Sequence, residues 1–158
     1  NLLGEAMLND AENPNYMMLR AWVFEKYLNR PVAAEDLYNK VADMENFYID
    51  NPRSLKGFAQ LFLGQTELGK RWIDNILDTV TDYDGLIHYY GACFYAQYGD
   101  VDRAMELAGK SLDLGYANNH DWTEAIDESV NVAPLRDDLR FLNLLHRHDS
   151  IFGKESKK

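Results

Sequence analysis

The sequence predicts an all-α protein, and three observations support that fold class. Apolar residues recur at helical spacing along almost the whole chain of 158 residues. Nowhere do β-branched residues alternate with polar ones over the length of a strand. Gly, Pro and Asn divide the chain into pieces of about twelve to eighteen residues, the usual length of helices joined by short turns. We therefore expect helices near residues 2–10, 15–29, 32–49, 53–67, 70–82, 86–98, 101–115, 120–130 and 134–149.

The ends of these helices are marked by residues that favour turns. All four prolines lie at or near a predicted helix start, where a missing N–H costs little: Pro14, Pro31, Pro52 and Pro134. Helical hairpins are predicted to turn at Asn29, Gly69 and Gly99. The apolar stripe of each helix predicts one buried face. On the last helix that face is expected to consist of Leu135, Leu139, Leu142 and Leu145.

The charge of the chain limits its partners. The formal net charge is −10, and residues 1–135 hold 10 Lys/Arg against 22 Asp/Glu. Because binding to phosphates depends on Lys/Arg contacts, this acidic body argues against a nucleic-acid partner and favours a neutral or basic one. No apolar stretch is long enough to span a membrane, and we expect a cytoplasmic protein. The chain begins at Asn1 rather than Met, which leaves open a removed leader or upstream domain.

Histidines and acidic residues offer few candidates for a metal or catalytic site. The single cysteine, Cys93, cannot form an intrachain disulfide or a multi-thiolate zinc site. His146 and His148 point about 200° apart on a helix, so we expect them to interact with the helix dipole rather than with a metal. His120-Asp121 and Asp127-Glu128 supply acid-base groups without a nucleophile, and a solvated helix face explains them. We predict no enzyme activity, no cofactor and no metal.

A partial calcium-loop pattern occurs at Asp82-Tyr83-Asp84-Gly85. If Gly85 were the glycine of such a loop, its first and last ligand positions would fall on Val80 and Gly91, which carry no oxygen ligand in their side chains. The expected role of this segment is therefore a helix N-cap at Asp84.

Large and small residues recur at fixed offsets across three successive hairpins. In the third, the offsets fall on His88, Gly91-Ala92, Tyr95, Ala104 and Ala108. In the first they fall on Met17, Arg20-Ala21, Phe24, Ala33 and Leu37. In the second they fall on Leu55, Phe58-Ala59 and Phe62, but then on Arg71 and Asn75, where small and aromatic residues are expected. This pattern resembles tetratricopeptide repeats, whose period is about 34 residues.

The segment VAPLRDDLRFLNLL at residues 132–145 is similar to the closing helix of bacterial tetratricopeptide-repeat proteins. The similarity covers Leu135-Arg136-Asp137-Asp138, Arg140-Phe141 and Leu144-Leu145, while Leu139 stands where that family often has Pro. The resemblance implies a right-handed superhelix of about four helix-turn-helix pairs over residues 1–149, followed by a polar tail at 150–158.

The resemblance also implies a function. Such a superhelix binds a peptide, helix or protein surface in its concave groove, so we expect a protein-interaction module. In the family's geometry Ala92 and Tyr95 pack inside a pair, and the groove is lined by Lys56, Gln60, Leu63, Tyr89, Cys93 and Gln97. The alternative is a C-terminal regulatory or sensory module of a larger signalling or enzyme chain.

Overall fold

The computed structural model describes residues 12–45, 53–116, 119–123 and 130–148. All regular structure in these ranges is helical, which confirms the all-α fold class. The predicted helix at 2–10 lies outside the described residues. The helices are α1 (Pro14–Lys26), α2 (Pro31–Ala42), α3 (Ser54–Phe62), α4 (Thr66–Thr79), α5 (Leu86–Tyr98), α6 (Val101–Asp113), α7 (Asn119–Thr123) and α8 (Leu139–Arg147), with a 3-10 turn at Ala133–Leu135.

The chain divides into two compact units, Asn1–Asp74 and Asn75–Lys158, and the boundary falls within α4. The single domain predicted for residues 1–149 stays a prediction, as do the superhelix and its right-handed sense.

The first unit opens with the pair α1 and α2. Each helix has a proline in its first turn, and the side chain of Asn13 caps α1 by accepting a hydrogen bond from the backbone N–H of Asn15 (2.9 Å). Asn29, with φ of 48°, reverses the chain between the two helices. α2 ends at Ala42, earlier than the predicted residue 49. The buried side chains of this pair include Met18, Ala21, Tyr38 and Val41.

The turn of the second pair lies at Gly64, and the turn predicted at Gly69 is wrong. Gly64 has φ of 79° and follows the end of α3, whereas Gly69 is buried within α4. The reason is helix packing: a Cβ built on Gly57 would lie 3.3 Å from the carbonyl oxygen of Gly69 and 2.8 Å from Cγ1 of Ile73. The lack of a Cβ on Gly57 therefore allows α3 and α4 to approach closely near Gly69 and Ile73.

The second unit contains the pair α5 and α6, with the turn where the sequence predicts it. Gly99 has φ of 99°, and the carboxylate of Asp100 caps α6 by accepting from the backbone N–H of Arg103 (3.0 Å). Ala104 in the first turn of α6 is fully buried. Ala92 and Tyr95 on α5 are also buried, as the resemblance implies.

Once the second turn is placed at Gly64, the three pairs share one spacing. The residues of positive φ at their turns are Asn29, Gly64 and Gly99, each 35 residues from the next. The second helices begin at Pro31, Thr66 and Val101 with the same spacing. Their buried positions also repeat every 35 residues, as Ala34, Gly69 and Ala104, then Tyr38, Ile73 and Ala108, then Val41, Ile76 and Ser111.

This spacing corrects the register predicted for the second helices. In the first pair the small and large residues are Ala34 and Tyr38, one position after the predicted Ala33 and Leu37. In the second pair they are Gly69 and Ile73 rather than Arg71 and Asn75, and Arg71 and Asn75 are exposed. The apparent failure of the second pair came from the misplaced turn.

The closing segment differs from the helix predicted at 134–149. A 3-10 turn precedes α8, which begins at Leu139 because the Asp138 carboxylate caps it by accepting from the backbone N–H of Arg140 (2.8 Å). This start sets a different buried face: Phe141 and Leu144 are buried, whereas Leu139 and Leu142 are 74% and 47% exposed. The buried face predicted for the last helix is therefore wrong at Leu139 and Leu142. Its other two members are covered, since Leu135 is fully buried and Leu145 is half-buried.

α8 packs along α6 and runs in the same direction. Arg140 near its start pairs with Asp102 on the first turn of α6 (2.7 Å), and His148 at its end contacts Asp113 on the last turn (3.0 Å). Between these contacts, a Cβ built on Gly109 would lie 3.8 Å from Cδ1 of Leu144. α8 thus covers one side of the α5–α6 pair.

Candidate interaction surfaces

The predicted groove residues of the first unit, Lys56, Gln60 and Leu63, lie on α3 and at its C-terminal end. The Lys56 ammonium lies 4.9 Å from the centre of the Trp72 ring and donates to the carbonyl of Met44 (3.3 Å). Gln60 is 6% exposed, and its Oε1 accepts no hydrogen bond from the part of the chain that the structure describes. Leu63 is half-buried and caps α3.

The predicted groove residues of the second unit lie on α5, and two of them are in its interior. Tyr89 is 3% exposed and Cys93 is fully buried, whereas Gln97 is half-buried. The Tyr89 hydroxyl donates to the carbonyl of Asp121 (3.3 Å), and burial first, then Cys93 and Asp121, raise the pKa of this phenol. Tyr89 and Cys93 therefore lie in the interior of the second unit rather than on an exposed surface.

The residues that cover Tyr89 follow α6 in the sequence. The rings of Tyr116 and Trp122 each lie 4.9 Å from the Tyr89 ring, centre to centre. Trp122 donates from its indole nitrogen to the carbonyl of Tyr116 (2.9 Å), and the Tyr116 hydroxyl donates to the Asp121 carboxylate. Sequence reasoning missed this cover, although aromatic residues just after a predicted helix were a usable signal.

A cleft of about 270 Å³ opens within the first unit. It lies where the end of α1, the first two turns of α2 and the end of α3 meet. The lining combines apolar and aromatic side chains with two glutamates: Pro31, Ala34, Tyr38, Phe62, Leu63, Glu25 and Glu35. Of the predicted groove residues, Leu63 lines this cleft.

The electrostatics of this cleft come from its two carboxylates. The Tyr38 hydroxyl donates to Oε2 of Glu25 (3.2 Å) and so holds that carboxylate at the cleft. Burial first, and then Glu25, raise the pKa of Tyr38, so its phenol stays neutral and remains a donor. Glu25 and Glu35 are exposed, and neither forms an ion pair with any residue in the described ranges. The cleft therefore carries two carboxylates that have no ion-pair partner among the described residues.

The partial calcium-loop segment serves as the cap of α5. Oδ1 of Asp82 accepts from the backbone N–H of Gly85 (3.0 Å), and Oδ2 accepts from the backbone N–H and ring Nδ1 of His88 (2.9 and 2.6 Å). Asp84 also contributes by accepting from the N–H of Leu86 (3.1 Å), but the N-cap position itself is Gly85 rather than the predicted Asp84. Burial alone would raise the pKa of Asp82, yet the hydrogen bonds from His88 lower it overall.

The histidines near the end of α8 also have local roles. The ring of His148 contacts the carbonyl of Leu144 through Nδ1 (2.9 Å) and Asp113 through Nε2 (3.0 Å), while His146 lies in the last turn. Within the described ranges no three His, Cys, Asp or Glu residues are grouped closely enough to hold a metal ion. Among the described helices, none is both long and apolar enough to cross a bilayer.

Comparison of the chain with protein-family models, with curated proteins and with solved structures finds no match.

Proposed function

We propose that this chain is a non-catalytic interaction module of tetratricopeptide-like helix pairs that binds a peptide, a helix or a protein surface in a concave face. The observation that carries this proposal is the 35-residue spacing of the turns at Asn29, Gly64 and Gly99 and of the helices that follow them. This spacing is close to the period of about 34 residues in tetratricopeptide repeats. Repeats of this kind stack to bury a continuous core and use their concave surface for binding.

The charge of the chain supports a neutral or basic partner. With a net charge of −10, the protein attracts cationic groups and repels the phosphates of nucleic acids. Exposed carboxylates such as Glu25 and Glu35 leave this charge accessible on the surface of the first unit.

Two acidic residues near α5, Asp82 and Asp121, have structural roles. Asp82 caps α5, and the Asp121 carboxylate accepts a hydrogen bond from the Tyr116 hydroxyl while its backbone carbonyl accepts one from the Tyr89 hydroxyl. These hydrogen bonds hold together the local structure around α5, which is a structural role. A general acid or base instead has to reach a substrate with its titrating atoms.

The test is selection of binders from a library of displayed random peptides with the immobilised 158-residue chain. We expect saturable binding of peptides that are neutral or net positive, measured for each peptide by fluorescence anisotropy. Labelled duplex DNA at physiological salt serves as the comparison and is expected not to bind. The proposal is contradicted if no peptide is selected, and its charge argument is contradicted if the selected peptides are mainly acidic.

A further inference from the structure

The cleft in the first unit combines three features that suit a cation. Its wall is aromatic, since Tyr38 and Phe62 line it with ring centres 5.4 Å apart. Glu25 and Glu35 place two carboxylates on it, and the hydroxyl of Tyr38 fixes one of them. Its volume of about 270 Å³ is below the usual range for drug-sized ligands, about 300–1,000 Å³, so it suits one side chain rather than a whole small molecule.

We propose that this cleft binds an arginine side chain of the partner protein or peptide. The inference rests on the proposed interaction function and names the chemistry that one part of the surface recognises. The occupant's positive charge lies beside Glu25 and Glu35, and its stem packs on the exposed Pro31 and the half-buried Phe62 and Leu63.

Arginine fits this lining better than other residues do. Its planar guanidinium stacks on aromatic rings and pairs with carboxylates through several donors at once, and it is more weakly hydrated than the ammonium group of lysine. An acidic side chain would meet two negative charges of its own sign. A purely apolar side chain would form no ion pair with either carboxylate.

The experiment titrates the isotope-labelled 158-residue chain with short peptides. Binding is measured by NMR, from the changes in the backbone amide chemical shifts. The probes are the peptide Ac-Gly-Gly-Arg-Gly-Gly-NH2 and two analogues, one with lysine and one with uncharged citrulline in place of arginine. We expect the arginine peptide to bind with shifts centred on Ala34, Glu35 and Leu63, the lysine peptide to bind more weakly, and the citrulline peptide at least tenfold more weakly. Added salt should weaken the arginine complex.

Variants identify the carboxylates. We expect Glu35→Gln or Glu25→Gln to weaken the arginine complex about two- to fivefold, and the double variant to weaken it about tenfold, the range of exposed ion pairs. The matched control is Asp36→Asn, which removes the same charge one residue away from Glu35 at an exposed position outside the cleft. The control should bind as the unaltered chain does.

The outcomes separate this inference from the proposed function. Equal binding of the arginine and citrulline peptides, shifts centred elsewhere, or an equal effect of Asp36→Asn and Glu35→Gln would overturn the cleft assignment. Peptides selected from the library that bind the double variant as tightly as the unaltered chain would also overturn it, while the interaction function would stand. Failure of the library selection would instead count against the interaction function.

Discussion

Replacing Gly85 by alanine should destabilise the second unit much more than the same change at Gly99. Both glycines flank α5 and have left-handed backbones, with φ of 86° and 99°. They differ in their surroundings. A Cβ on Gly99 would meet no heavy atom within 4 Å, whereas a Cβ on Gly85 would collide with the carbonyl oxygen of Ser111 and approach Cβ of Tyr116 at 2.9 Å.

The magnitudes follow from these surroundings. An alanine in the left-handed region costs about 1–2 kcal/mol, and this is the whole cost expected for Gly99→Ala. At Gly85 the collision adds a strain of about 1–3 kcal/mol. It also disturbs a buried hydrogen bond in which the Ser111 hydroxyl donates to the carbonyl of Gly85 (2.6 Å), which is worth about 1 kcal/mol. We therefore expect Gly85→Ala to cost about 3–6 kcal/mol in total.

Urea and thermal unfolding of both variants, followed by circular dichroism at 222 nm, measure this difference. The expected difference of about 2–4 kcal/mol corresponds to about 4–16 °C in Tm for a chain of this size. Ser111→Ala completes the test, because it should cost about 1 kcal/mol alone and less in the Gly85→Ala background, where the hydrogen bond is already disturbed. Equal destabilisation by Gly85→Ala and Gly99→Ala would refute the packing argument.

Three further predictions concern the same unit. Ala104→Trp should overpack the fully buried first turn of α6 and lower the free energy of unfolding by about 1–3 kcal/mol or more, and an unchanged Tm would refute the hairpin register. Phe141→Ala should cost about 3–5 kcal/mol in urea unfolding, whereas Leu139→Ala, at a 74% exposed position, should change stability by less than about 0.5 kcal/mol; similar losses would show that the buried face of α8 is misassigned. The pKa of Asp82 is lower in the folded chain than in the unfolded chain. Its carboxylate therefore stabilises the fold fully above the unfolded-state pKa, and this stabilisation is lost as the pH falls through the folded-state pKa. Asp82→Asn should therefore cost about 1–2 kcal/mol at pH 7 and progressively less in acid, and a pH-independent difference in denaturant midpoints would contradict this assignment.

Local sequence signals predicted most helices of the fold. They failed where two nearby residues were equally suited to a turn or a helix start, and contacts with another helix determined which one was used. Gly64 and Gly69 are both plausible turn residues, and only the close approach of Gly57 to α4 assigns Gly69 to a helix interior. The residue that caps α8, Asp138, is a common N-cap type, but the proline that often marks the first position of this helix in the family is replaced by Leu139. The start of the helix was therefore predicted too early.

The candidate surface was harder to predict because exposure depends on contacts between distant segments. Tyr89 lies on α5 at a position that faces the groove in the family's geometry, yet Tyr116 and Trp122 cover it. The cleft brings together Glu25 at the end of α1, Tyr38 within α2 and Leu63 at the end of α3, and no spacing within one helix indicates that they meet. Leu63 was predicted, together with Lys56 and Gln60, only as a groove residue implied by the family resemblance.

The three pairs preserve spacing and size more closely than residue type, for a physical reason. Five residues after each positive-φ turn residue stands Ala34, Gly69 or Ala104, because a larger side chain in the first turn would separate two helices that cross closely. Four residues further on, Tyr38, Ile73 and Ala108 are all buried but differ widely in volume. At that position the available volume depends on each pair's other neighbours. An aromatic residue occupies that position in only one of the three pairs. A small residue five positions after the turn residue is present in all three.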